Sequence, residues 1–231
     1  MTNQTTWFIT GASGEIGRHL TKRLLERGHR VAAASEDKES LRDQVRGVIG
    51  RVPGSAWQAQ NLLCLTVDFT SEDSVRKAIQ QTISQFGTID VVVNYAGYAL
   101  SAPVEMLTES EIHRHFEENV FGRFYVLKQA APFLRNQRSG VILNFSSAAV
   151  EAAAAGSAIY EATKLAIGHL SEELTAGMEA LGIKQTFIGP DASAQQCWKA
   201  FQLKSEDEPF IKTTWGGPCR QTPIQQRSYL A

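Results

Sequence analysis

Tyr160 and Lys164 carry side chains that can move a proton, and they stand four residues apart in a stretch predicted to be helical. Residues at this spacing share one face of a helix, so the phenol and the ammonium group would be neighbours. The positive charge stabilises the phenolate and brings proton transfer toward neutral pH. Taken alone, the short pattern is equally compatible with a packed tyrosine beside a solvated lysine.

A glycine-rich motif near the N-terminus is typical of a phosphate-binding loop. Residues 10–17 read Thr-Gly-Ala-Ser-Gly-Glu-Ile-Gly, directly after the first predicted strand and at the start of the first predicted helix. Gly11, Gly14 and Gly17 permit a tight turn in which backbone N–H groups approach a diphosphate, whose charge the helix N-terminus favours. The context predicts a dinucleotide-binding loop.

Two further polar sites follow predicted strands. Asp68 ends the third strand, where its carboxylate could accept a hydrogen bond from an adenine amino group or cap the next helix. Asn94, Ala96 and Gly97 end the fourth strand, at the edge where doubly wound sheets bind ligands. The small residues there leave room for a ribose.

Composition narrows the function to small-molecule chemistry. The 231 residues are 43% hydrophobic and carry a net charge of -1, with no basic face for nucleic acid and no polybasic membrane patch. Cys64, Cys197 and Cys219 are too far apart for zinc ligation or a disulfide framework, which suggests a reducing compartment. Without a signal or membrane-spanning pattern, we expect a cytoplasmic protein.

Metal binding is not expected. His113 and His115 stand two residues apart, so they face different sides of a helix and are poor joint ligands. Both are predicted to be surface residues.

Short apolar runs alternate with amphipathic stretches along the chain. The predicted strands are Thr6–Thr10, Val31–Ser35, Leu62–Val67, Ile89–Asn94, Val141–Ser146 and Ile183–Ile188. The predicted helices are Glu15–Arg27, Lys38–Val48, Ser71–Phe86, Glu109–Leu134 and Ser157–Leu181.

Regular alternation requires right-handed crossovers, which produce a doubly wound parallel sheet in a three-layer α/β/α arrangement. We expect a dinucleotide-binding and catalytic domain over residues 1–190. Residues 191–231 would form an atypical tail of the same domain, in which no further strand of the sheet is recognisable.

Together these motifs resemble the short-chain dehydrogenase/reductase family over about residues 6–190, in its compact single-domain branch with a Rossmann fold. The residues of these motifs are similar to those of the subgroup of hydroxysteroid and retinol dehydrogenase-like enzymes. The resemblance rests on the glycine loop, Asp68, Asn94-x-Ala96-Gly97, Asn119-Val-Phe-Gly122, Ser146-Ser147 and Tyr160-x-x-x-Lys164.

The resemblance implies four catalytic residues. Tyr160 would be the general acid or base, and Lys164 would assist it and bind the nicotinamide ribose. Ser147, thirteen residues before Tyr160, would orient the substrate carbonyl and stabilise its developing charge. Asn119 would support a water-mediated proton path to Lys164.

The resemblance also implies NAD or NADP as the cofactor. Its binding residues would be Gly11, Ser13, Gly14, Ile16, Gly17, Ser35, Asp68, Asn94, Ala96, Gly97, Tyr160, Lys164 and Pro190. Carboxylates in Ser35-Glu36-Asp37 would repel a 2′-phosphate and favour NAD, whereas Arg42 leaves NADP open.

Three positions depart from the family pattern. Glu15 places a carboxylate near the phosphates unless it points to solvent, and Tyr95 replaces the second asparagine of Asn-Asn-Ala-Gly, which implies an altered contact on the cofactor side. Beyond Pro190 the usual Pro-Gly and threonine pattern is lost.

The implied function is interconversion of a secondary alcohol and a ketone on a small, moderately apolar substrate by a homodimer or homotetramer joined through the long helices. The alternative is a nucleotide-binding but catalytically weak relative with a regulatory or scaffolding role.

Overall fold

The computed structural model describes residues 4–49, 59–100, 102–145 and 158–188, and the strands in these ranges form one parallel sheet. The strands are β1 (Thr6–Thr10), β2 (Arg30–Ser35), β3 (Leu62–Thr66), β4 (Val91–Asn94), β5 (Gly140–Phe145) and β6 (Ile183–Ile188). Their order is β3-β2-β1-β4-β5-β6, and every neighbouring pair is parallel. The predicted doubly wound fold is confirmed.

Helices connect successive strands. They are α1 (Glu15–Glu26), α2 (Lys38–Ile49), α3 (Glu72–Phe86), α4 (Glu109–Phe116), α5 (Gly122–Gln137) and α6 (Ala158–Glu179). Local sequence sets several of their ends: the Ser71 hydroxyl accepts the Ser74 N–H at the start of α3, and Thr108 forms a capping box with Glu111 at the start of α4. Gly87 ends α3 with a left-handed φ of 81°.

Strand residues alternate between the two covered faces of the sheet. In β1, Phe8 belongs to a core cluster that includes side chains of α3 and α5. Its neighbours Trp7 and Ile9 belong to a second cluster that includes side chains of α1 and α2. Burial on both faces is why each strand is a nearly continuous apolar run rather than an alternating one.

One predicted helix is interrupted. The single helix expected over Glu109–Leu134 is divided into α4 and α5 by a π-helical turn at Glu117–Phe121, and α5 extends to Gln137. A π turn accommodates one extra residue without breaking the helical path, so the hydrophobic pattern that defined the long helix does not reveal it. Such turns are frequent at functional sites.

The sheet opens at the carboxyl end between β1 and β4, where the chain direction of the crossovers reverses. Here the Thr10 hydroxyl accepts the backbone N–H groups of Tyr95 and Ala96, at 2.9 Å each, and donates to the Val93 carbonyl at 3.1 Å. These bonds hold the segment after β4 against the end of β1. Ligands of doubly wound folds bind in this crevice.

The described ranges end before the predicted tail. The division into residues 1–190 and 191–231, and the absence of a further strand after β6, therefore stay predictions. Within those ranges, no helix combines the length and the apolar character that a membrane span requires.

Candidate active site

The glycine loop has no side chain at Gly11, Gly14 and Gly17, next to the N-terminus of α1. Gly11 has a left-handed φ of 65°, and its carbonyl accepts the Gly14 N–H at 3.0 Å. A Cβ on Gly17 would lie 2.4 Å from the Gly11 carbonyl oxygen, so only glycine allows α1 to pack this closely on the loop. The loop therefore presents backbone N–H groups at a helix N-terminus, which fits a diphosphate.

A groove of about 650 Å³ extends from this loop to the end of β4. Six of the predicted cofactor-binding residues line it: Gly11, Ser13, Gly14, Ser35, Ala96 and Gly97. Ile16 is half-buried and packs against the apolar core beside the loop. Glu15, whose charge could have opposed an anion, has an exposed side chain. The shape and lining fit a dinucleotide.

Asn94 lies beneath this groove rather than in its lining. Its side chain is fully buried, and its amide donates to Asn144 Oδ1 at 3.3 Å and to the Arg123 carbonyl at 3.4 Å. Asn94 thus links β4 to β5 and α5. Its predicted contact with a cofactor stays a prediction.

Asp68 is exposed and lines an adjoining cavity of about 830 Å³ together with Glu36. Its carboxylate accepts hydrogen bonds from the backbone N–H and the hydroxyl of Thr70, at 2.9 and 2.7 Å. Ser71, not Asp68, caps α3. Asp68 therefore stabilises the turn before α3, and its predicted bond to adenine stays a prediction.

The structure brings Tyr160 and Lys164 together on α6. Lys164 Nζ lies 5.0 Å from the centroid of the Tyr160 ring. The lysine side chain is buried, and burial, with a smaller contribution from the positive charge of Arg123, lowers the pKa of Lys164 to about 6. The amine is therefore largely neutral at pH 7.

Asn119 lies in the π-helical turn and is fully buried. Its amide nitrogen donates to the carbonyl oxygens of Tyr98 and His115, at 3.1 Å each, and these two acceptors fix the orientation of the amide. The Asn119 Oδ1 atom faces Gly97, where a Cβ would lie only 2.3 Å away. This oxygen has no hydrogen-bond partner among the described residues.

His115 corrects the sequence prediction. His113 is exposed as expected, but His115 is fully buried. The Asn119 amide nitrogen lies 3.0 Å from its Nδ1, and its ring lies 4.9 Å from that of Tyr98 and 6.0 Å from that of Tyr160. Burial and then the nearby Lys164 charge lower the pKa of His115, which keeps the imidazole neutral near pH 7. His115 stands one helical turn before Asn119, and this spacing could have indicated that its side chain faces inward like that of Asn119.

Arg123 is a buried residue of the site that the sequence analysis did not single out. Its guanidinium donates to the carbonyl oxygens of Ala96 and Phe145, at 3.0 and 2.9 Å, and more weakly to that of Tyr95 at 3.4 Å. Burial lowers the pKa of Arg123 to about 10, so the side chain keeps its charge at neutral pH. Its position four residues after Asn119 could have indicated that it faces inward.

The positive charge of Arg123, near Tyr160, is not neutralised by a salt bridge among the described residues. Within the described ranges, no carboxylate forms an ion pair with Lys164 or Arg123. Such a site favours negative charge on a ligand or on a tyrosine oxygen. Ser147 and Pro190, two other predicted site residues, lie outside the described residues.

Comparisons with known proteins show which family the chain resembles. A family model described as short chain dehydrogenase matches residues 5–204. An oxidoreductase of Botryotinia fuckeliana is 30% identical over 225 residues, which cover 97% of this chain and 72% of that protein.

The chain is also similar to part of another relative and to a solved structure. An uncharacterized oxidoreductase of Schizosaccharomyces pombe is 38% identical over 137 residues, or 59% of this chain, and the match spans only 58% of that protein's length. The crystal structure of an NAD⁺-bound xylitol dehydrogenase is similar with a TM-score of 0.71 and 28% identity, covering 82% of this chain and 72% of that one.

The buried lysine predicts a pH-dependent gain in stability for Lys164→Met. Below about pH 6 the amine is charged in both the folded and the unfolded state, so the folded protein bears the whole cost of burying the charge. Between about 6 and the ordinary value of 10.5 the unfolded chain binds more protons, and the stability of the unsubstituted protein rises with pH. The variant should therefore be more stable by roughly 2 kcal/mol or more near pH 6, with a smaller gain at higher pH.

Urea unfolding of both proteins at about pH 5.5, 7 and 8.5 measures this difference. Lys184→Met, which removes an exposed lysine on β6, is the control and should change stability by a similar small amount at each pH. A gain at Lys164 that stays constant across the three pH values would contradict the burial of a neutral amine.

Proposed function

Because the chain belongs to the short-chain dehydrogenase family, we propose that it is an NAD(P)-dependent oxidoreductase interconverting a secondary alcohol and a ketone on a small, moderately apolar substrate. The observation that carries this proposal is the placement of Tyr160 and Lys164 on one face of α6. The ring of Tyr160 lies 6.0 Å from that of His115, which packs against Tyr98 in the lining of the groove. When bound, the nicotinamide supplies or accepts the hydride.

Tyr160 is the proton-transfer residue of this proposal. In reduction its hydroxyl gives a proton to the carbonyl oxygen, and in oxidation its oxygen takes a proton from the alcohol. Charge left on that oxygen is stabilised by the permanent cation of Arg123, with which Tyr160 interacts electrostatically. Ser147 would orient the substrate oxygen, as the family resemblance implies.

Lys164 and Asn119 would return the proton to solvent. The Asn119 Oδ1 atom has no hydrogen-bond partner among the described residues and lies beside Gly97, which lines the groove, so it can accept a hydrogen bond from a water molecule or a ligand hydroxyl. Lys164 has a pKa of about 6, which lets its amine accept and release a proton near neutral pH. The backbone carbonyl groups of Tyr98 and His115 hold the Asn119 amide and keep Oδ1 directed at Gly97.

The groove supports NAD rather than NADP as the cofactor. Glu36, at the end of β2, lines the groove, and its charge would oppose the 2′-phosphate of NADP. Arg114 also lines it, but its Nε donates to Glu118 at 2.8 Å. Arg42, which left NADP open in the sequence, lines a different cavity with Lys38.

Tyr160→Phe tests the proposed chemistry. Removing the hydroxyl should lower kcat by about a hundredfold or more, because general acid–base catalysis typically contributes that much. NAD⁺ affinity should stay within about twofold, since the ring is retained. The measurement is turnover of a panel of ketones and secondary alcohols with both cofactors, together with calorimetric NAD⁺ titration.

Tyr125→Phe provides the matched control, because Tyr125 is a partly buried tyrosine in the core cluster of α3 and α5. It should retain full activity. Unchanged turnover by Tyr160→Phe would eliminate the proton-transfer role. Cofactor binding without turnover by the unsubstituted protein would favour the alternative, a nucleotide-binding relative with a regulatory or scaffolding role.

Glu36→Gln tests the cofactor preference. Removing one carboxylate from the groove should tighten NADP⁺ binding relative to NAD⁺ by about tenfold, because the repulsion acts on a phosphate that NAD⁺ lacks. Dissociation constants for both cofactors, measured at low salt, give this ratio. Glu39→Gln, in the other cavity, is the control and should leave the ratio unchanged. No change at Glu36 would contradict its role in selecting NAD.

We also propose that the protein self-associates through the outer faces of α5 and α6. Phe121 and Phe124 are 47% and 36% exposed at the start of α5, and Leu165 is 42% exposed on α6. Exposed apolar side chains grouped on neighbouring helices are typical of a protein–protein interface. The occupant would be a second copy of this chain.

Phe124→Glu should convert the resulting dimer or tetramer into monomers, because it would bury a carboxylate in an apolar interface. Light scattering during size-exclusion chromatography measures the mass against 25.4 kDa for one chain. Met106→Glu, at an exposed methionine on the turn after β4, is the control. A monomeric unsubstituted protein would contradict the proposed interface.

A further inference from the structure

Tyr95 is fixed at the point where the groove meets the glycine loop. Its backbone N–H donates to Thr10 Oγ1 at 2.9 Å, which anchors the residue directly after β4. Its ring packs edge-on against Phe145, with the ring centroids 5.1 Å apart. Both contacts come from the ends of strands, so the phenol has a defined position rather than being a free surface side chain.

The ring lies along the glycine loop. A Cβ on Gly14 would lie 3.0 Å from Tyr95 Cε1 and 3.7 Å from the Tyr95 hydroxyl, and a Cβ on Gly11 would lie 3.1 Å from Cδ1. Gly14 is the N-cap residue of α1. The hydroxyl is therefore held beside the helix N-terminus, where the backbone N–H groups and the helix dipole favour an anion.

The Tyr95 hydroxyl is available to a ligand as a hydrogen-bond donor. The residue is half-buried and lines the groove, and in the described part of the chain the hydroxyl has no hydrogen-bond partner. Burial, followed by the negative charge of Glu15 and the nearby Tyr160, raises the pKa of Tyr95. The phenol thus stays protonated at neutral pH and can donate.

We propose that Tyr95 is a cofactor-binding residue whose hydroxyl donates a hydrogen bond to a diphosphate oxygen of the dinucleotide. This inference rests on the proposed function, because it assumes that the groove takes such a cofactor. The position beside Gly14 at the α1 N-terminus assigns the bond to the diphosphate rather than to the adenine. A phenol at this place adds a neutral donor to backbone N–H groups and offsets the exposed carboxylate of Glu15.

Tyr95→Phe tests the proposal because it removes only the hydroxyl and keeps the contact with Phe145. Isothermal titration calorimetry of the full chain with NAD⁺, ADP and adenosine separates the parts of the ligand. We expect both NAD⁺ and ADP to bind about tenfold more weakly to the variant, the usual effect of losing a hydrogen bond to a charged group. Adenosine, which has no phosphate, should bind equally to both proteins.

Two controls exclude a general loss of structure. Tyr125→Phe removes a tyrosine hydroxyl in the other core cluster and should leave all three affinities unchanged. Thermal unfolding should show that Tyr95→Phe melts as cooperatively as the unsubstituted protein. A variant that failed this criterion would be replaced by Tyr95→Leu, for which the same loss of ADP affinity is expected.

Several results would overturn the inference. ADP bound equally by Tyr95→Phe and the unsubstituted protein would show that the hydroxyl does not contact the diphosphate, and so would a loss confined to NAD⁺. Tighter binding by the variant would show that the phenol obstructs the loop. Failure of the unsubstituted protein to bind NAD⁺ or ADP would overturn the proposed function as well. If the unsubstituted protein binds both ligands and Tyr95→Phe binds them equally well, only the role of Tyr95 is overturned and the proposed function stands.

Discussion

The buried guanidinium of Arg123 is the interaction on which the geometry of the site depends. Strands β4 and β5 are hydrogen-bonded neighbours, and the residues that follow β4 lie outside the sheet, so their carbonyl groups have no ladder partners. Arg123 donates to the Ala96 carbonyl after β4 and to the Phe145 carbonyl at the end of β5. Because burying a cation costs several kcal/mol, the charge is retained only with such bonds. The ends of both strands are thereby held at one place beside Tyr160.

This cation also lowers the pKa of Lys164, although burial contributes more. Arg123 keeps its charge at neutral pH, whereas burial and Arg123 together leave Lys164 largely neutral. Negative charge brought near either side chain would favour the protonated lysine. The groove itself is lined by Glu36, Glu111 and Glu118 and by Arg114, whose Nε donates to Glu118. The backbone N–H groups of the glycine loop are therefore the part of this lining that best fits an anionic group.

The sequence predicted the sheet well because its strands are short apolar runs buried on both faces, a signal that depends little on distant contacts. The six predicted strands match the observed ones within two residues at each end. The glycine loop was equally accessible, since its motif and its place between strand and helix are local. Arg123 was missed, and His115 was wrongly assigned to the surface, because polar residues are exposed by default. Their burial depends on partners contributed by other segments: Tyr98 and Tyr160 for the histidine, and two strand ends for the arginine.

The π-helical turn explains how these polar residues come to share one side of the helix. His115, Asn119 and Arg123 are spaced by four residues, and all three are buried. In a regular α-helix, residues eight apart are offset by about 80° around the axis, which would direct Arg123 away from His115. A π turn contains more residues per turn and therefore takes up part of that offset. Asn119 lies within this turn, which the hydrophobic pattern of the sequence did not reveal. Because of this turn, the neutral imidazole of His115, the unsatisfied amide oxygen of Asn119 and the guanidinium of Arg123 lie on the side of the helix that faces Tyr160 and Lys164.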